Sequence, residues 1–159
     1  MKNTTKIIAA ISPILLLIGA GTASAQQDAT GTLVVEATVS NVCSVATTPV
    51  TFGEVGLTDV STNGSITVTC TIFSPFEVAL DGGNAGDING RQMDNGLGNT
   101  IDYQLYTEAN NTTVWGDGTS GSTVDGTGPS ETLTVYGATL SGPEAAGTYT
   151  DSVTVTVTY

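Results

Sequence analysis

This chain of 159 residues contains no histidine, and beyond residue 25 it contains no lysine. Arg91 is the only cation after that point and faces all 15 acids, a formal charge of −14; Lys2 and Lys6 account for the difference from the whole-chain value of −12. Each absence excludes a class of chemistry. Without histidine or lysine to serve as a base near neutral pH, the usual serine and cysteine hydrolase arrangements cannot be assembled. A strongly negative chain repels phosphate backbones and anionic lipid, which excludes nucleic-acid binding and polybasic attachment to membranes. Two cysteines with no histidine and no CxxC spacing do not make a metal or redox site. No apolar rhythm of 3.6 residues occurs after the first 25 residues, so no amphipathic helix is predicted.

What is present begins with an export signal. Lys2 and Lys6 precede an apolar run from Ile7 to Ala20 and a small-residue cleavage pattern, Ala23-Ser24-Ala25. Residues 1–25 are therefore set apart from the fold, and the rest is expected to form one domain with no membrane insertion of its own. In an exported chain, Cys43 and Cys70 read as one disulfide, worth about 3 to 4 kcal/mol in the chain-entropy account. Both fall on apolar faces of alternating runs, Cys43 with Val45 and Cys70 with Val68, so the bond is expected inside the domain.

Period-2 alternation recurs along the chain. It marks Gly31–Ser40, Val42–Val45, Ser65–Ile72, Phe76–Leu80, Ile101–Leu105, Leu133–Val135 and the closing stretch Thr148–Tyr159. Strict alternation predicts strands with one buried face. Glycine-, asparagine- and aspartate-rich pieces separate them, and residues 81–100 and 116–130 read as surface loops. The fold class is all-β, a sandwich, with strands expected at both ends of the exported chain. Where the partner of the first strand lies, in its own domain or in another molecule, is left open by alternation alone.

Three further readings attach to particular residues. Asp81, Asn84, Asp87 and Asn89 crowd oxygen atoms into a glycine-rich loop, but their spacing fits no calcium motif and is what a long turn uses; no metal or cofactor is expected. Acidic pairs are inevitable among 15 acids and do not point to a glycosidase. Trp115 and the five tyrosines are read as core or cross-strand packing, with a sugar-stacking platform on Trp115 as the alternative.

The order Cys43, Phe52-Gly53, Val68-Thr-Cys70, Arg91 with Met93, Tyr103-Gln-Leu-Tyr106, Val114-Trp-Gly116, Val135-Tyr-Gly137 and Ala146-Gly-Thr-Tyr-Thr-Asp151, followed by the terminal alternation, resembles the spore coat protein U domain family. That family includes the pilin subunits of archaic chaperone-usher pili. The resemblance implies an incomplete immunoglobulin-like sandwich that lacks its last strand and is completed by a donor strand from another subunit. It implies a donor segment at residues 26–42 and a pilin domain at 43–159. The donor face would be Leu33, Val35, Ala37 and Val39, with Glu36 and Thr38 outward. The acceptor edge would be Val153, Val155 and Val157. The implied partners are identical or related pilins, a periplasmic chaperone and an outer-membrane usher. The implied role is structural and non-enzymatic, at the cell surface, in adhesion and biofilm. A secreted carbohydrate-binding monomer and a spore-coat structural protein are the other readings.

Overall fold

A computed structural model describes residues 25–71, 73–140 and 145–159; the cleavage signal, apart from its last residue, lies outside these. The chain divides into two units, Met1–Ala37 and Thr38–Tyr159. In the first, residues 25–37 are exposed and form no strand. The alternation of Gly31–Ser40 therefore does not produce a strand here, because a strand exists only where a neighbour accepts its backbone hydrogen bonds.

Among its described residues the second unit contains eight strands: β1 (Cys43–Thr48), β2 (Ser61–Cys70), β3 (Pro75–Leu80), β4 (Gln92–Asp94), β5 (Thr100–Tyr106), β6 (Val124–Thr127), β7 (Ser130–Thr139) and β8 (Val155–Thr158). They make a five-stranded sheet in the order β1-β2-β7-β5-β4 and a three-stranded sheet in the order β6-β3-β8. All strand pairs are antiparallel. β4 and β6 lie within the segments read as loops. They are three and four residues long, too short to show alternation, and their neighbours hold them in place.

The predicted inward faces pack together. Ile66, Val68 and Cys70 of β2, Phe76, Val78 and Leu80 of β3, Tyr103 and Leu105 of β5, and Val135 of β7 form one buried core with Trp115. Burying each large side chain contributes about 1.5 to 3 kcal/mol. Trp115 is fully buried, and its indole N–H donates to the Val78 carbonyl at 3.0 Å. The alternative of a sugar platform on Trp115 is thereby overturned, since no ring face is left for a ligand.

Cys43 and Cys70 are bonded, and they stand directly opposite each other in the β1–β2 register. Cys70 is buried and Cys43 half-buried, but Val45 is 42% exposed. The bond thus staples an edge strand to its neighbour within one sheet. β1 is mostly exposed on both faces, which is why the apolar face read around Cys43 and Val45 is only partly covered.

Candidate functional site, an apolar groove beside the last strand

Two sheets of unequal width cannot cover each other. At a spacing of about 4.8 Å, five strands span roughly 19 Å and three roughly 10 Å, so about two strand widths of inner face need another cover. Part of that face lies at the floor of a groove of about 1140 Å³. Ile66, Met93, Ile101, Tyr103, Leu105 and Val135 floor it, all from the five-stranded sheet. One lip is β8 with Val153 and Val155; the other is the Pro49–Gly56 segment that follows β1.

Local sequence builds the second lip. Val50 and Phe52 lean over β7 at Gly137, where an added Cβ would come within 2.6 Å of Val50 Cγ1 and 3.1 Å of Phe52 Cζ. Glycine is required at that point by the close approach. Phe52 then meets the edge of the Tyr103 ring, with centroids 6.1 Å apart, a geometry that aromatic pairs favour.

β8 forms the first lip, and among the described residues its outer edge is open. There it pairs with β3 only, in the register Leu80↔Val155, Ala79↔Thr156, Val78↔Val157 and Glu77↔Thr158. Just before it, the Asp81 N–H donates to the Thr154 carbonyl at 3.2 Å. Bonding alternates along an antiparallel pair, so Thr154, Thr156 and Thr158 turn their backbone groups toward β3, and Val155 and Val157 turn theirs outward. Val153, Val155 and Val157 are half-buried and pack against the core, whereas the intervening threonines are exposed. An edge of this kind, beside apolar side chains, is a template for another strand.

Polar side chains fix the approach to that edge. Asp81 Oδ1 accepts from the Gly83 and Thr154 N–H groups at 2.9 and 2.8 Å, tying the end of β3 to the start of β8. Asp151 Oδ1 accepts from Asn84 N–H at 2.8 Å, and its Oδ2 accepts from the Tyr103 hydroxyl at 2.6 Å. Burial opposes ionisation of Asp81, but hydrogen bonds from Thr154 and Gly83 and the nearby Arg91 charge outweigh it, leaving the carboxyl below its ordinary range. Burial, followed by the bond to Asp151, pushes the Tyr103 hydroxyl far above its ordinary range, so it remains a donor. Asp81 and Asp87 spend their Oδ1 atoms on turn N–H groups. Among the described residues, no group of three or more potential metal-ligating side chains converges.

Arg91 is fully buried under this region. Its Nε and Nη2 donate to the Asp81 carbonyl at 3.0 and 2.7 Å, Nη2 also to the Trp115 carbonyl at 2.8 Å, and Nη1 to Gln104 Oε1 at 2.5 Å. Gln104 in turn accepts from Leu105 N–H and donates to the Ile88 carbonyl. Burial draws the guanidinium pKa down, and the nearby Tyr103, Asp81 and Asp151 oppose that. One side chain thus joins the end of β3, β5 and the Trp115 segment.

The sequence-derived acceptor residues lie together: Val155 and Val157 in β8, Val153 just ahead of it. Of the donor residues, Leu33, Val35 and Val39 are 86, 85 and 81% exposed, and Ala37 is exposed as well. Sequence reasoning missed the lip residues Val50 and Phe52 and the Arg91 hub. Pro49 hides the first from any strand pattern, and a lone arginine in a polar stretch carries no mark of burial.

The architecture is that of an immunoglobulin-like sandwich with an unfilled strand position, the class to which pilus subunits of the chaperone-usher type belong. The family model of the Spore Coat Protein U domain matches residues 29–156, and the chain belongs to that family. Among solved structures it is similar to a chain in the chaperone–tip adhesion subunit pre-assembly complex from the archaic chaperone-usher Csu pili of Acinetobacter baumannii. The identity is 25% and the TM-score 0.55, over 77% of this chain and 40% of that one. The chain therefore spans less than half of the protein it matches. No curated protein matches it with significance.

Proposed function

We propose that this protein is a structural, non-enzymatic subunit of an archaic chaperone-usher pilus, exported to the cell surface and polymerised by strand donation. The observation that carries the reading is the groove of about 1140 Å³ beside the open edge of β8. Residues 26–42 of one subunit fill the groove of the next. Leu33, Val35, Ala37 and Val39 face its floor, and their backbone bonds to the outward groups of Val155 and Val157. Each large side chain so buried contributes about 1.5 to 3 kcal/mol, with ladder hydrogen bonds in addition. Before assembly, a periplasmic chaperone covers the same edge, and an outer-membrane usher exchanges it for the donor. Adhesion and biofilm formation follow from the fibre.

The matched structure is itself a chaperone–subunit complex, which supports the chaperone as partner. The test is to co-express the chain with the chaperone and usher, with and without residues 26–40. The expected result is fibres from the intact chain only. Fibres of ordinary length from the deletion would overturn the proposal.

A further inference from the structure

The strand register sorts the loops of the sandwich onto two poles. Cys43, Cys70, Pro75, Ser130 and Thr158 mark one pole; Thr48, Ser61, Leu80, Thr139 and Val155 mark the other. The large apolar side chains left in solvent by the loops divide between them. Phe73, 84% exposed, lies in the β2–β3 turn at the first pole. Leu57, Leu97 and Leu140, at 99, 84 and 51%, follow β1, β4 and β7 at the second. Phe73 also has φ +64°, a left-handed backbone conformation that is costly for an aromatic residue and that clusters at functional positions.

From these facts we infer that Phe73 of one subunit seats on the leucines at the opposite pole of the next, forming a second, apolar contact at each joint of a polymer of this chain. The inference rests on the strand donation proposed above. The donor leads into β1 at the first pole: Val42 N–H donates to Thr71 Oγ1, and Asn41 Oδ1 accepts from Ser74 Oγ, so the base of the donor is anchored on either side of Phe73. A donor antiparallel to β8 leaves the acceptor groove where β8 begins, at the leucine pole. From Val39, the last groove-facing residue, to Cys43 is four residue steps, about 14 Å at full extension. That tether holds the two poles together.

Charge favours an apolar contact there. Residues 26–159 include no lysine, and their only cation, Arg91, is buried, so no ion pair between copies can offset the repulsion of two strongly acidic subunits. Apolar burial is the side-chain chemistry left to oppose it.

The experiment places Phe73→Cys in the full chain with one of Leu57→Cys, Leu97→Cys or Leu140→Cys, assembles fibres with chaperone and usher, and then oxidises them. A covalent ladder on a denaturing gel is expected from at least one pair, with none from Phe73→Cys combined with Thr132→Cys on the exposed face of β7. Fibres that form without a ladder from any of the three pairs overturn the joint contact and leave strand donation standing. A ladder of equal strength from the Thr132 control overturns it as well, because the contact would then lack position. If the unsubstituted chain forms no fibres, strand donation fails, and this inference fails with it.

Discussion

Trypsin cleaves after arginine or lysine, and residues 26–159 offer it one site, Arg91. In the folded protein that side chain is 0% exposed and held by carbonyls of Asp81 and Trp115. Cleavage therefore requires an opening of the structure, and when reclosing is fast the rate reports the population of the open form. Arg91→Lys keeps both the charge and the site but replaces a planar fork of five donors with one nitrogen. Gln104 Oε1 retains the Leu105 N–H at 2.9 Å, so it is still satisfied. The lysine nitrogen stands where the guanidinium carbon stood, one bond short of Nη2, so the Trp115 carbonyl, which accepts from Nη2, loses its partner. A buried acceptor so orphaned costs about 1 to 3 kcal/mol. With tenfold per 1.4 kcal/mol, a loss of about 2 kcal/mol speeds cleavage roughly thirtyfold. The assay compares the two folded proteins, each divided by its own rate when unfolded in urea, which removes the preference of trypsin for either residue. An increase below about threefold would show that the hydrogen-bond network around Arg91 does not hold this region closed.

Three other outcomes are expected. Replacing Cys43 and Cys70 together by serine lowers stability by about 3 kcal/mol, read from urea unfolding; an unchanged midpoint would rule out the bond as a stabilising element. The native Asp81 carboxyl is depressed, so its stabilisation is complete above the ordinary carboxylate pKa of about 3.9 and is lost as pH falls through the lower native value. Asp81→Asn should flatten the acid limb of a plot of unfolding midpoint against pH below about pH 4, and an unaltered limb would refute this coupling. A synthetic peptide of residues 29–42 should raise the melting temperature of a chain lacking that segment, whereas the peptide with Val35→Asp should not; equal shifts would remove Val35 from the proposed donor face.

Alternation made the core strands legible. Ile66, Val68 and Cys70, then Phe76, Val78 and Leu80, were each readable as one inward row, because burial on a single face leaves a period of two. At Gly31–Ser40 the same signal marks a segment that is unpaired within its own chain. Alternation records a capacity to be buried on one side and is silent about where the burying partner is. β4 and β6 escaped for the opposite reason, since a strand of three or four residues takes its pairing from its neighbours rather than from its own pattern. Arg91 and Phe52 escaped because their environment is assembled from distant parts of the chain. Nothing near Arg91 in sequence announces the Trp115 carbonyl 24 positions on.

The staple between Cys43 and Cys70 has a mechanical meaning. Cys43 is the first residue of β1, and Cys70 is the last of β2. Without the bond, a pull on the backbone ahead of residue 43 would load the pairing of β1 with β2 alone. The covalent link instead hands the load at once to β2, which lies between β1 and β7 and is paired with β7 over nine residue positions from Ser61 to Thr69. In a polymer of the kind proposed, tension arriving ahead of residue 43 would thus pass beyond the pairing of β1 with β2 to the longer ladder between β2 and β7, where more bonds must yield together.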